Sequence, residues 1–340
     1  MGDPQRPIVL LSLDGGGVRG LSPILILEQI MKGVNDGRDI DAQLQPWQVF
    51  DMMGGTSTGG IIAIMLGRLH MTLEECKKAY IQLSKTIFTA RHPRSKVIRK
   101  PYDLWNVNSK FDSTALEAAI KTEIGRKLSS SSKPEDELLS DQDESSILRS
   151  YRVRDPSVPE TLFNECKIWE ACRATSAAPS FFNPITIGQV HQKFIDGAAA
   201  GYNNPIRMVY QEAKHVWPDR TLLLISIGTG NARRKRLAGN LGEVAKAMAK
   251  ILTDAEVSAD IFFKDHQDMA KKHLLFRFNV AQGLENVDLE EYKELNTITD
   301  ATQTYLDSSE IGQKMKMCIE RLRGIPRQGT VTQLDTFIIY

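Results

Sequence analysis

Cysteine is scarce in this 340-residue chain: Cys76, Cys166, Cys172 and Cys318 are all there is, and no two form a CxxC pair. That excludes a disulfide scaffold and predicts reduced thiols in an intracellular protein. An excess of either charge is also missing, since 43 Lys and Arg face 42 Asp and Glu for a net charge of +1. No global field favours nucleic acid or an acidic partner, so any basic surface must be local. Long apolar runs are absent too. The uncharged stretch Met52 to Gly67 falls short of the roughly 18 to 20 residues that span a bilayer and is rich in Gly, Ser and Thr. Residues 1–7 lack the apolar core of a signal peptide, and neither end carries a lipidation pattern. No EF-hand loop and no HExxH motif occurs, so no metal is expected. The composition, 41% hydrophobic and 25% charged, is that of a soluble globular protein long enough for one large domain or two ordinary ones.

Apolar patterning predicts an α/β fold. Ile8–Leu13 is a short apolar run stopped by three glycines, as in a buried strand, and Leu21 to Lys32 has helical spacing. Trp47 to Met53 reads as a second strand ending in Gly54-Gly55, with Ile61 to Leu66 as a buried helix after it. Two strand–glycine turn–helix units in the first 70 residues imply a mostly parallel sheet. Further helices are expected over Leu73–Phe88, Thr114–Leu128 behind an Asp112 cap, Lys167–Thr175 and the stripe from Leu241 to Ala255. Strands are expected at Gln189–Ile195, Thr221–Ile227 and Phe337–Tyr340. Ser129 to Ser146, with four serines and then an acidic run, reads as a solvated loop. No internal repeat or composition shift divides the chain, which predicts a single domain over 1–340 with a less regular extension from about 265.

The sharpest chemical feature is Gly55-Thr-Ser57-Thr-Gly59. A GxSxG between strand and helix forces a tight turn that pushes one hydroxyl out of the backbone, and the flanking glycines let the turn form and a substrate approach. Ser57 is therefore a candidate nucleophile, supported by Gly55 and Gly59. The second feature is Asp14-Gly15-Gly16-Gly17-Val18-Arg19-Gly20. Successive glycines ahead of a helix can aim several N–H groups at one point and hold a phosphate or an oxyanion. Gly15, Gly17 and Gly20 also fit GxGxxG, with Asp36, Asp39 and Asp41 near the expected place of a ribose-binding carboxylate, so a dinucleotide site stands as a rival. No Gly-Lys-Ser/Thr follows, which excludes a Walker phosphate loop. Asp196-Gly197-Ala198, at a strand end, is a turn when taken alone.

Together, in this order, the three segments resemble the patatin-like phospholipase family, whose pattern is DGGGxRG, GxSxG and DG[GA]. Ala174-Thr-Ser-Ala-Ala-Pro179 before Phe181-Phe182, Asn203-Asn-Pro205 and Ser226-Ile-Gly-Thr-Gly230 add to the likeness. Leu73-Glu-Glu-Cys76 and Phe111-Asp-Ser113 resemble fungal and calcium-independent phospholipase A2-like members more than plant storage patatins. The resemblance implies a three-layer α/β fold and a lipid acyl hydrolase without cofactor. Ser57 would attack an ester carbonyl and Asp196, supported by Gly197, would take its proton. Amides of Gly16, Gly17 and Val18 would hold the oxyanion in a loop shaped by Gly15. It also implies a membrane or micellar lipid as partner, no nucleic acid, and a cytoplasmic protein in peripheral contact with membranes. On the residues themselves, Arg19 would orient the loop or meet a lipid phosphate, and Arg233-Arg-Lys-Arg236 reads first as a solvated charged loop, with contact to anionic headgroups as the alternative. Two alternatives stay open: a Ser-His-Asp esterase using His215, His266 or His273, and a catalytically impaired lipid- or nucleotide-binding module on the same scaffold.

One departure from the family stands out. Relatives carry a further sheet strand between the acidic loop and the Arg149-Ser-Tyr151 segment. Here Asp141 to Ser146 leads directly into Ile147, and no β-branched run fills the interval. Either Ile147–Val153 substitutes or an internal strand is missing, leaving its neighbours' ladder groups unpaired. The family also often continues into further domains, so an end at Tyr340 is expected of a catalytic piece or a short member.

Overall fold

The computed structural model describes residues 6–89, 110–139, 165–179, 181–189, 191–231 and 255–325, with the backbone of Thr336–Ile339. Its centre is a five-stranded sheet in the order β6-β5-β1-β2-β7, with every neighbouring pair parallel. The strands are β1 (Ile8–Leu13), β2 (Met52–Gly55), β5 (Leu222–Ile227), β6 (Leu275–Phe278) and β7 (Thr336–Ile339). A separate antiparallel hairpin joins β3 (Ile185–Ile187) to β4 (Gln192–Phe194).

Both faces of the sheet are covered, as a parallel sheet requires, and the strand period of two sorts the side chains. Val9, Leu11 and Leu13 of β1 and Leu223, Ile225 and Ile227 of β5 enter the larger core. There they meet Ile24, Leu27 and Ile30 of α1 (Leu21–Asn35) and Leu83 of α4 (Leu73–Thr89). Ile8, Leu10, Leu222 and Leu224 point the other way, against Ile206 and Val209 of α7 (Ile206–Val216) and Phe262 of the helical residues 255–265. Between α4 and α7 lie α5 (Ser113–Lys127), capped by Asp112 through its bond from the Thr114 N–H, and α6 (Ile168–Thr175). α8 (Leu295–Leu306) and α9 (Ser309–Arg323) complete the layer over α1. The three-layer α/β architecture is thus the one expected.

The strand order shows where the connections run. The chain leaves β1 through α1 to reach β2 on one side, whereas β5 lies on the other side of β1. Leu13 pairs with both Gly55 and Ile227, so three strands end in one row. A topological switch point forms there, where α/β proteins bind ligands. The 14–17, 56–59 and 228–230 loops all open onto it.

Several expectations need correction. Trp47 to Met53 is not one strand: Pro46–Val49 forms a helical turn, α2, because the proline suits a first helical position, and β2 starts only at Met52. The nucleophile-side helix α3 (Thr58–Ala63) is short and widens into a π turn over Ile64–Arg68. The strand expected at Gln189–Ile195 is β4, in the hairpin rather than the main sheet. Ser129–Ser146 is not wholly a solvated loop. Leu139 is buried, its N–H bonded to the Cys166 carbonyl, and Arg68 donates to the Leu138 and Leu139 carbonyls. Residues 140–164, which include Ile147–Val153, and 232–254, which include Arg233–Arg236 and most of the Leu241–Ala255 stripe, lie outside the described residues.

The edge of β2 away from β1 is paired by β7, with Gly54 opposite Ile338 and Gly55 opposite Ile339. Deleting residues 336–340 is expected to unpair that edge. Melting temperature should fall by several degrees and the amides of Met52–Gly55 should exchange faster with deuterium; unchanged exchange would separate β7 from this role.

Candidate active site

Ser57 sits where β2 turns sharply into α3, at φ 54° and ψ −124°. A non-glycine residue held there costs on the order of 1–3 kcal/mol, and such strain persists only where surrounding contacts enforce it. The enforcing contacts are close. A Cβ on Gly55 would strike the Gly59 carbonyl group, and one on Gly59 would strike the Leu13 carbonyl oxygen, so only glycine lets β1, β2 and α3 meet here. The Thr56 N–H donates to the Leu13 carbonyl, the Thr56 hydroxyl to the Tyr202 carbonyl, and the Ser57 N–H to Thr175 Oγ1 at 2.7 Å.

Asp196 follows β4 and caps the 3-10 turn Gly197–Ala200, taking the Ala198 N–H at 2.9 Å. The carboxyl is 1% exposed, with the Ser57 side chain beside it. Burial pushes its pKa up to about 7, and Ser57 and the Ala198 N–H only partly oppose that rise. Thr175–Ala178 holds both partners by their backbones, because Thr175 takes the Ser57 N–H and the Ala177 carbonyl takes the Asp196 N–H.

The glycine loop completes the wall. The Gly15 N–H donates to the Asn203 carbonyl and the Gly15 carbonyl accepts from Thr229 Oγ1 at 2.8 Å. A Cβ at Gly15 would collide with Asn203 Oδ1 and sit 3.1 Å from Ser57 Cβ. Gly16 and Gly17 border the same cleft as Ser57 and Asp196. Gly17, at φ +55°, opens a 3-10 turn, and as its first residue has no acceptor for its N–H within that turn. The Val18 N–H does not face the cleft; it is committed to the Leu289 carbonyl at 2.8 Å, which removes it from the expected oxyanion donors. The rest of the lining is mainly apolar, with Ile61, Leu83, Ile87, Phe88, Leu116, Phe181, Phe182 and Leu289, and includes the polar side chains of Thr58, Tyr80, Ser84, Ser176 and Asn203.

Arg19 is 1% exposed, and burial draws it down to about 10 against the pull of Asp288 and Tyr80. A guanidinium so enclosed cannot meet a headgroup at the surface, and its Nε and Nη1 are buried without a hydrogen-bond partner among the described residues. No described histidine lines the cleft. His266 packs between Tyr210 and Phe262, and His215 lies in the last turn of α7. The dinucleotide rival also fails. Asp36 follows the C-terminus of α1, about 22 Å of helix away from the glycine loop, and pairs with Arg323.

Two supports were invisible in the motifs. Arg277 of β6 grips Asp14, the residue that leads into the glycine loop, through Nη1–Oδ1 at 3.0 Å and Nη2–Oδ2 at 2.6 Å. It also donates to Ser226 Oγ and pairs with Glu256. Tyr80 of α4 donates to the Gly17 carbonyl. Nothing in a single sequence ties either residue to the loop, because both links are tertiary.

The patatin-like phospholipase family model matches residues 11–210, more than half of the sequence. The chain belongs to that family. Mouse calcium-independent phospholipase A2-gamma is 27% identical over 329 residues, covering 92% of this chain and 40% of the mouse protein. The rat protein of the same name is 30% identical over 66% of the chain and 29% of its own length. Patatin-like protein 1 of Arabidopsis thaliana is 26% identical over 91% of the chain and 81% of its own length. The chain therefore spans well under half of the mammalian relatives. Within the family match fall all three motifs, and Arg277 lies beyond it.

Removing Arg277 should leave Asp14 buried without its partner. Arg277→Met is expected to destabilise the fold by about 3–5 kcal/mol, with Asp14→Asn in the same chain recovering part of the loss. Chemical denaturation of the three variants measures both; equal stability of Arg277→Met and the parent would show the pair to be dispensable.

Proposed function

We propose that this chain hydrolyses fatty-acyl esters of phospholipids or other glycerolipids as a serine acyl hydrolase. The observation that carries the reading is the placing of Ser57 against the buried Asp196 at the wall of a mainly apolar cleft. An ordinary aspartate, with a pKa of roughly 3.9, is too weak a base for a serine hydroxyl. One raised to about 7 by its surroundings is far better matched to the task near neutral pH.

In this account Asp196 takes the Ser57 proton as Oγ attacks the ester carbonyl. The carbonyl electrons move onto oxygen, where the Gly16 and Gly17 amides receive the charge; one such donor is worth about 100- to 1,000-fold in rate. Collapse of the tetrahedral intermediate breaks the bond to the alcohol oxygen, which leaves with the proton from Asp196. Water then adds to the acyl-enzyme by the same route and frees the fatty acid. The apolar lining accommodates the acyl chain, and the strained Ser57 backbone keeps the hydroxyl proud of the turn. The lipid is met at a membrane or micelle surface by peripheral contact; among the described residues no helix is long and apolar enough to cross a membrane. A carboxylate base and amide donors complete the chemistry without a metal, so chelating calcium should leave the rate unchanged.

Ser57→Ala and Asp196→Asn are each expected to lower kcat on phosphatidylcholine vesicles by about 1,000-fold or more, given the interdependence of such groups. Parent-like turnover by either purified variant contradicts the reading. The pH profile gives a second check. Asp196 must be ionised to act, so kcat/KM should rise through pH of about 7 and level off above it. The linked stability has the opposite sign. The folded value lies above the ordinary 3.8, so the contribution of the neutral form is complete below that value and is lost as pH climbs through about 7. Asp196→Asn has no such loss, and its melting temperature should gain on the parent between pH 5 and pH 8, by an amount equivalent to about 3 kcal/mol at most.

A further inference from the structure

Four hydroxyl and backbone groups beside Ser57 form a chain whose direction is fixed by proton count. The Gly16 N–H donates to Thr58 Oγ1 at 3.2 Å. The Thr58 side chain is hydrogen-bonded to the Tyr80 hydroxyl, and so is that of Ser84. Tyr80 Oη donates to the Gly17 carbonyl. A carbonyl only accepts and a phenol has one proton, so that proton is spent on Gly17. Thr58, Ser84 and the Gly20 N–H then share the two lone pairs of Tyr80 Oη as donors, which leaves a Thr58 lone pair facing the Gly16 N–H. The series runs Gly16 N–H to Thr58 to Tyr80 to the carbonyl of Gly17, beginning and ending on adjacent residues of one loop.

We propose that Tyr80, acting through Thr58 and the Gly17 carbonyl, is a positioning residue that orients the Gly16 and Gly17 amides toward the oxyanion. This rests on the hydrolase reading above. Glycine backbones have the widest conformational freedom of any residue, so a run of three needs an outside constraint to hold its N–H groups in one direction. Here the flanks are held elsewhere, Gly15 by Asn203 and Thr229 and Val18 by Leu289, which leaves the middle of the loop to the hydroxyl relay. Pinning the Gly16 nitrogen and the Gly17 carbonyl fixes the peptide plane between them, and with it the Gly17 N–H at the cleft. Gly20 fits the same account. Its φ of −60° suits any residue, but a Cβ there would collide with Tyr80 Oη, so its lack of a side chain makes room for the phenol. The bond from Gly16 to Thr58 lies at the long end of the N–H···O range, so this amide can share its proton with a developing oxyanion without leaving Thr58.

The test is steady-state kinetics on a chromogenic short-chain ester, with Ser57→Ala as the blank. Tyr80→Phe keeps the ring and removes the donor; kcat is expected to fall by about 10- to 100-fold, less than for outright loss of an oxyanion donor, with KM within about twofold. Thr58→Val should act in the same way and Thr58→Ser should restore most of the rate, which a packing role for the threonine methyl would not allow. In the Thr58→Val/Tyr80→Phe double variant the loss should be close to that of the worse single, as for members of one relay. Parent-like kcat in Tyr80→Phe, a loss confined to KM, no rescue by serine, or losses that multiply would each overturn the inference while leaving the hydrolase reading intact. Ester hydrolysis by the parent no faster than by Ser57→Ala would instead remove that reading, and the relay's role with it.

Discussion

Ser57 and Asp196 are joined from above by the Thr175–Ala178 segment and from the side by the fold's switch point. The short segment takes a backbone N–H from each, at Thr175 Oγ1 and the Ala177 carbonyl, and so registers the β2–α3 elbow against the β3–β4 hairpin. Without that registration the carboxyl would have no reason to be buried. Its burial in turn is the source of its basicity, since removal from water is what lifts a carboxylate toward neutrality. The chemistry proposed for this chain therefore follows from a packing decision.

The glycine loop is built on the opposite principle. Its residues bring no side chains, so everything that shapes it comes from outside: Asn203 and Thr229 at Gly15, Tyr80 at Gly17, Leu289 at Val18 and Arg277 at the preceding Asp14. The Arg277 contact buries two charges, which costs solvation that only good geometry recovers. Here the geometry is bidentate, with Ser226 and Glu256 taking further protons of the guanidinium. Glu256 lies in the helical residues 255–265, so the loop is tied to the smaller face of the sheet as well as to the larger one.

Much of this was legible in the sequence where local pattern and tertiary packing agree. β1, α1, α4, α5, α6 and β5 lie within a few residues of their expected ranges, because each carries a full apolar stripe and a clear stop. The placing of Ser57 at a strand–helix turn, and of Asp196 after a short strand, also followed from spacing. Misreadings arose where one residue outweighed the pattern. Pro46 turned the start of an apolar run into helix, and Leu139 anchored in the core one point of an acidic loop whose other described residues stay solvated. The Val18 amide and the roles of Tyr80 and Arg277 depend on contacts between distant segments, which no window of sequence contains. The pairing of β7 with β2 is of the same kind: the short apolar end announced a strand but not its neighbour.

The account stands or falls on the nucleophile, and covalent trapping reads it directly. Incubated with a fluorophosphonate, the parent chain should gain one adduct on the peptide carrying Ser57, at a rate that rises with pH through about 7 and drops sharply in Asp196→Asn. An adduct at another residue, or labelling of Ser57 at the parent rate when Asp196 is gone, would contradict it.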